Sequence, residues 1–217
     1  MRVLLLCDDL WHPGEIIRRG LATVSHPAIS FDFVECAKDT LTPAFLAEYP
    51  VIVNCKCDHV TAANTHPWFE EGVSEVMPRE LRAYVEQGGG FVSVHSGNAF
   101  LQEKTPEYVD FVGNYFVQHP PRCPVEICVT AQHPITEGVE NFTVRDEHYE
   151  IRVIAEDAQE LFRTRSASNG SQMGGYTREM GKGRLCVLTP GHVVSVWEHP
   201  QFRKLFTNAI EWCAGRK

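Results

Sequence analysis

Basic charge is in short supply in this sequence. Its 217 residues hold 20 Lys and Arg against 28 Asp and Glu, a formal net charge of −8 with histidine neutral. Binding to a nucleic-acid backbone runs on clustered Lys and Arg, so nucleic acid is excluded as the main partner. No apolar run approaches the ~20 residues that span a bilayer, and no membrane partner is expected. The opening run Val3-Leu4-Leu5-Leu6 is too short for a signal-peptide core, and two aspartates follow close behind. This predicts a cytoplasmic protein. A Walker loop, a Gly-x-Gly-x-x-Gly after the first strand and a His-Glu-x-x-His helix are also missing. Phosphate-cleaving and dinucleotide-dependent chemistry therefore have no support. No linker, low-complexity stretch or internal repeat interrupts the chain, so residues 1–217 are expected to form a single domain.

What is present is core-forming material and histidine. Apolar residues make up 43% of the chain, enough to offset the entropy lost on folding. Eight cysteines in a chain this long and core-rich read as reduced core thiols rather than as a disulfide framework. Ten histidines are more than a chain of this length would carry by chance.

The hydrophobic pattern alternates between short strands and helices. Arg2–Leu6 reads as a strand, and Ile16, Ile17, Gly20, Leu21 and Val24 follow at helical spacing. Phe31, Phe33 and Val34 suggest a second strand, Thr42-Pro43 a short helix ended by Pro50, and Val51-Ile52-Val53 a third strand. Residues 54–77 show no period and read as a long loop, the kind that is often functional. Pro78 opens a helix that Gly88-Gly89-Gly90 stops, and Phe91–Val94 is a fourth strand. Short helices are expected at 98–102 and 106–111, and strands at 125–129, 161–164 and 175–177. Gly181-Lys182-Gly183 reads as a hairpin turn before a strand at 184–189. Phe202, Leu205, Phe206, Ala209, Ile210 and Cys213 mark a final helix, capped by Gly215. This order predicts an α/β fold with a doubly wound, mostly parallel sheet and an antiparallel extension. In such sheets ligands bind beyond the carboxyl ends of the strands, so residues just after strands are the site candidates.

The sharpest local signal is the run from Gly88 to Asn98, in which Ser93 and Gly97 flank His95 at two residues on either side. A tight strand-to-helix turn of the nucleophile-elbow kind needs small residues at those places and lifts its central side chain over the sheet. Here the centre is an imidazole, suited to proton transfer or metal ligation. His192 stands in Leu188-Thr189-Pro190-Gly191-His192, again just after a strand.

From Gly88-Gly89-Gly90-Phe91-Val92 with His95-Ser96, the chain continues with Gly113 to Phe116 and on to His119-Pro120. It then shows His133-Pro134-Ile135-Thr136-Glu137-Gly138, Asp146-Glu147-His148-Tyr149, Gly181-Lys182-Gly183-Arg184, Gly191-His192, and Pro200-Gln201-Phe202 through Ile210-Glu211-Trp212. In this order and spacing it resembles the ThuA-like (trehalose utilisation) family over most of its length. The resemblance implies a flavodoxin-like, class I glutamine amidotransferase-like fold. It places His95 where an amidotransferase has its nucleophilic cysteine, and His192 where the partner histidine stands. Without that thiol, glutamine hydrolysis through a thioester is not expected. The family name implies a role in disaccharide or keto-sugar metabolism and does not fix a reaction.

His95, His192, Glu147 and His119 are the candidate catalytic residues. The resemblance favours Glu147, whose carboxylate would orient an imidazole, and Pro120 would hold His119 extended and aim it at a pocket. Asp8, Trp11, His12, Ser96 and Tyr149 are candidate substrate contacts, with Trp and Asp suited to the C–H face and hydroxyls of a sugar. His12, His95 and His192 are an alternative metal set for a divalent ion such as zinc, three protein ligands leaving room for water. Cys55-Lys56-Cys57-Asp58-His59 is too compact for a zinc knuckle, and the thiols are expected without metal. Two rival readings accompany the sugar enzyme: a sugar-binding protein without turnover, and a structural subunit anchored by Trp68 and Phe69 of the long loop. The expected partner is a small molecule, and homo-oligomerisation is compatible with the composition.

Overall fold

The computed structural model describes residues 1–22, 28–35, 37, 40–57 and 76–217. Val24 and most of the long loop, including Asp58, His59, Trp68 and Phe69, lie outside the described residues. The first half runs β1 (Arg2–Leu6), α1 (Gly14–Ala22), β2 (Ser30–Val34), α2 (Pro43–Leu46), β3 (Val51–Asn54), α3 (Pro78–Glu86), β4 (Gly90–Val94) and α4 (Pro106–Val112). The second half is richer in strands: β5 (Asn114–Gln118), β6 (Cys123–Val129), β7 (Phe142–Asp146), β8 (Glu150–Val153), β9 (Gln159–Ser166), β10 (Gly170–Met180), β11 (Gly183–Leu188), then α5 (Val194–Glu198) and α6 (Pro200–Cys213).

Among the described residues, nine strands form one sheet in the order β2-β1-β3-β4-β11-β10-β9-β6-β7, and β5 and β8 pair separately. The first five are parallel to one another and the last four continue antiparallel. The parallel part has the 2-1-3-4-5 order of doubly wound sheets, with β11 as its fifth strand. The expected α/β class with an antiparallel extension is therefore the observed one.

The parallel strands are near-continuous apolar runs because helices cover both faces. Val3, Leu5, Val51, Val53, Val92, Val94, Cys186 and Leu188 point to one side, against Ile17 and Leu21 of α1, Trp197 of α5 and the inner face of α6. Leu4, Leu6, Ile52, Phe91, Leu185 and Val187 point to the other, against Leu81 and Val85 of α3 and Tyr108, Val109 and Val112 of α4. The expected C-terminal helix buries Phe202, Leu205, Phe206, Ala209, Ile210 and Cys213. No described cysteine is in a disulfide, and all of them except Cys123 are buried. No described helix is long and apolar enough to cross a membrane.

The structure departs from the sequence-based expectations in places. Residues 99–102 are not helical; the chain makes one 3-10 turn at His95–Asn98 and then leaves it. The Asn98 amide reaches back to the Leu188 and Ser93 carbonyls, which ties the turn to the sheet. Strands β5, β7 and β8 had no distinct signal. They are short and half-solvated, and polar or charged residues interrupt their apolar positions.

Helix α1 approaches α5 through Gly20, where an added Cβ would fall 2.2 Å from Trp197 Cβ. The Trp197 indole in turn donates to the Gly191 carbonyl at 2.7 Å, so this contact steadies the loop that carries His192. Gly20→Val is expected to overpack the contact by about 1–3 kcal/mol and to lower the melting temperature by roughly 2–4 °C per kcal/mol. Thermal denaturation followed by tryptophan fluorescence measures this, and an unchanged midpoint would contradict the close packing.

Candidate active site

The site lies where the parallel strands end. The β4 strand runs into His95, whose φ of 45° is a left-handed conformation that a residue with a side chain adopts only when its surroundings enforce it. Gly97 makes the turn feasible, because a Cβ there would sit 2.3 Å from the Asn54 carbonyl oxygen of β3 and 2.8 Å from Ser93 Oγ. Ser96 Oγ donates to the Cys55 carbonyl at 2.6 Å. The elbow inferred from small residues around His95 is therefore present, and it holds a buried imidazole above the sheet.

His95 Nδ1 lies 2.9 Å from the Thr189 carbonyl at the end of β11. A carbonyl oxygen only accepts, so Nδ1 carries the proton and Nε2 presents its lone pair. That Nε2 is 3.2 Å from His192 Nδ1 and 3.4 Å from Glu147 Oε2, and His192 Nδ1 is 3.2 Å from the same carboxylate oxygen. His12, in the loop after β1, is fixed in the same manner. Its Nδ1 faces both oxygens of Asp9, at 2.7 and 3.0 Å, which leaves Nε2 as the nitrogen that Asp9 does not engage. Ligand atoms of His12, His95, Glu147 and His192 all lie within 4.8 Å of one another.

Two buried carboxylates organise this cluster from behind. Asp9 accepts the amides of Trp11, His12 and Cys57 besides holding His12. Burial alone would raise its pKa, but the His12 hydrogen bond and charge, with the backbone amides, bring it down to about 2. Asp146, at the end of β7, accepts the amides of Gly191 and His192 at 2.8 and 3.0 Å, and burial pushes its pKa up. The next residue, Glu147, turns toward the imidazoles. Burial opposes its charge, but the adjacent His192 and His95 imidazoles hold its carboxyl well below the usual range. Burial lowers the His95 pKa, which favours the neutral ring. His148 is structural, with Nδ1 on Ser166 Oγ at 2.7 Å and Nε2 on Thr164 Oγ1 at 3.0 Å.

In front of the cluster opens a cavity of about 630 Å³, lined by His12, Glu147, His192, His119 and Tyr149 on its polar side, with Cys57, Lys104 and several apolar side chains completing it. His119 Nδ1 donates to the Pro120 carbonyl at 2.9 Å, and its Nε2 is 3.5 Å from Glu147. The Tyr149 ring packs on His95 with centroids 4.2 Å apart and stacks on His119. Burial holds its pKa well above the usual phenol range, which keeps the hydroxyl protonated.

The structure thus brings His95, His192, Glu147, His119, His12, Tyr149 and Trp11 to one cavity or its floor. Ser96 supports the floor through Cys55. Asp8 is placed elsewhere: its carboxylate accepts the Gly14 amide at 2.9 Å at the start of α1. Asp146 was not among the residues singled out from sequence, whereas Asp9 follows β1 beside Asp8, and the sequence offers it with Asp8, Trp11 and His12 as a pocket residue. Cys55 and Cys57 are not part of the metal-capable group found among the described residues. His133, the other His-Pro histidine, caps a short turn by accepting the Ile135 amide.

Three imidazoles and a carboxylate form a donor set that suits a divalent metal such as zinc. Tetrahedral ligation at ~2.0–2.1 Å separates ligand atoms by roughly 3.3 Å, and the separations among His95, His192 and Glu147 are 3.2 to 3.4 Å. The back-side contacts of His12 and His95 are the usual means of fixing a ligating tautomer.

The sequence pattern of the trehalose-utilisation (ThuA) family matches residues 13–213, and the chain belongs to that family. No curated protein matches it. Among solved structures it is similar to a ThuA-like protein of Parabacteroides merdae, at 16% identity and TM-score 0.74, over 100% of this chain and 91% of that one. It is also similar to a ThuA-like protein of Bacteroides uniformis, at 20% identity and TM-score 0.72, over 98% of this chain and 91% of that one. A third likeness is to a Salmonella typhimurium protein described as cytoplasmic, at 16% identity and TM-score 0.69, over 100% and 98%. These likenesses show a common glutamine amidotransferase-like fold.

Asp9→Asn tests the support behind His12. The folded carboxyl titrates near 2 and the unfolded one near 3.9, so in that window the unfolded chain binds more protons. The stabilisation is present above about pH 4 and lost as pH falls toward 2. With about 1.4 kcal/mol per pKa unit, Asp9→Asn is expected to cost about 2.6 kcal/mol at neutral pH and to flatten the acid limb. Urea titrations of chelator-treated protein from pH 2 to 7 measure both, and an unaltered acid limb would contradict the assignment.

Proposed function

We propose that the protein is a single-domain cytoplasmic enzyme of carbohydrate metabolism. It acts on a disaccharide or keto-sugar at the 630 Å³ cavity, and His12, His95, His192 and Glu147 hold a divalent metal such as zinc at the cavity floor. What supports this reading is the convergence of His95 Nε2 and His192 Nδ1 on one Glu147 oxygen, with His12 in the same cluster and the other nitrogen of His95 and of His12 engaged by Thr189 and Asp9. The sugar is inferred from the family's description as trehalose utilisation.

A bound metal would supply Lewis acidity at a substrate carbonyl or hydroxyl oxygen. The protein's own groups supply the rest. Glu147 brings negative charge next to three imidazoles. His119, less buried than the cluster and facing the cavity, is placed to take a proton from a carbon beside a ketone and return it. Tyr149, kept protonated by its burial, donates a hydrogen bond to a substrate oxygen. These groups suit isomerisation, elimination or hydrolysis. They do not suit thioester chemistry, because His95 stands at the elbow in place of a thiol.

Calorimetric titration of chelator-treated protein with zinc is expected to show one ion per chain. His95→Ala and His192→Ala should each weaken binding by at least the 10–100-fold typical of losing even an outer-shell partner, and should abolish turnover of keto-disaccharides. Failure to bind zinc, or equal binding by both variants, would overturn the metal reading. Retained turnover in both variants would overturn the site. Sugar binding without product would assign the cavity to recognition alone.

A further inference from the structure

The described lining of the cavity is part polar and part apolar, and of the apolar part only Trp11 has been given a role above. Polar groups gather on the floor: His12, Glu147, His192 and His119. The apolar lining is Trp11, Ala99, Leu101 and Phe116, from the β1–α1 loop, the segment after the His95 turn, and β5, with the Phe116 ring packed against Tyr149 and His119. Trp11 is 67% exposed and Leu101 41% exposed, among the few large apolar side chains left open on the described surface.

We propose that this wall is an aglycone subsite, so that the substrate is a glycoside carrying an aromatic or other apolar group rather than a sugar polar at both ends. The inference rests on the sugar reading of the cavity and narrows its substrate class. The cavity volume of about 630 Å³ lies in the ~300–1,000 Å³ range of sites for drug-sized ligands, which is more than a monosaccharide on the floor would fill. A second sugar ring is poorly served by the remaining space. Trp11 and Phe116 offer π faces, but Leu101 and Ala99 offer neither a π face nor a hydrogen-bonding side chain, and hydroxyls set against them would lose partners. An aryl group would instead remove apolar surface from water on both sides. Among the described residues Lys104 is the one Lys or Arg in the lining, so the rival explanation is recognition of a negatively charged substituent.

Methyl, phenyl and 4-carboxyphenyl glucosides, in both anomers, and trehalose are the probes. Their binding to the full chain is measured by calorimetry, with tryptophan fluorescence as a second readout. The phenyl glucoside of the accepted anomer is expected to bind roughly 10–100-fold more tightly than the methyl glucoside, the discrimination typical of an apolar pocket. Leu101→Asp should shrink that ratio to within a few-fold; the residue is exposed, so folding is not at stake. Equal binding of phenyl and methyl glucosides, or tighter binding of trehalose, would overturn the aglycone subsite and leave the sugar site standing. A preference for 4-carboxyphenyl that Lys104→Ala removes, with no gain from phenyl over methyl, would assign the wall to charge and also overturn it. No binding by any of these sugars, in protein that takes up zinc, would end the sugar reading and this inference together.

Discussion

An imidazole offers a lone pair only at the nitrogen that carries no proton, and the chemistry at this sheet edge depends on where those protons are held. The Thr189 carbonyl fixes the His95 proton at Nδ1, and the Asp9 carboxylate fixes the His12 proton at Nδ1. Neither acceptor can give a proton back at neutral pH: one is a peptide carbonyl, and the other stays ionised because His12 and three amides surround it. Two rings are thereby anchored through the same nitrogen, with Glu147 supplying the negative charge between them and His192. Burial of His95 strengthens the arrangement, since a charged ring there would be desolvated.

The fold divides the task between its two halves. The parallel half brings His12, His95 and His192 from the ends of β1, β4 and β11, three loops that a doubly wound sheet places side by side. The antiparallel half supplies the countercharge. Asp146 ends β7 by taking the amides of Gly191 and His192, and that contact carries Glu147 and Tyr149 over the parallel rim. The β5–β8 pair then closes one side of the cavity through Phe116 and His119. With an imidazole at the elbow, His95 can ligate a metal or move a proton and offers no thiol there.

Much of this was legible in the sequence where local chemistry dictates structure. The parallel strands are apolar throughout because both faces are covered, and the glycines and small residues around His95 mark a turn that only they can make. His192 was legible from its place after a strand, and Glu147 through the family pattern. The choice between Asp8 and Asp9 was not legible. Asp8 adopts a φ of 73°, which turns its carboxylate to the Gly14 amide and hands the site to its neighbour. Asp146 was hidden for a different reason: its partners are amides 45 and 46 residues away, and no local spacing reports such a contact. The short strands β5, β7 and β8 were obscured because tertiary pairing, not their own pattern, makes them strands.

The account's central claim is that these four side chains form one metal centre. X-ray absorption at the zinc edge, with an anomalous difference map from crystals of the zinc-loaded protein, tests it most directly. The account predicts a single peak between His12, His95, His192 and Glu147, with a first shell of nitrogen and oxygen at ~2.0–2.2 Å and no sulfur. A peak at Cys55 and Cys57, a sulfur-containing shell, or no peak among the imidazoles would contradict it.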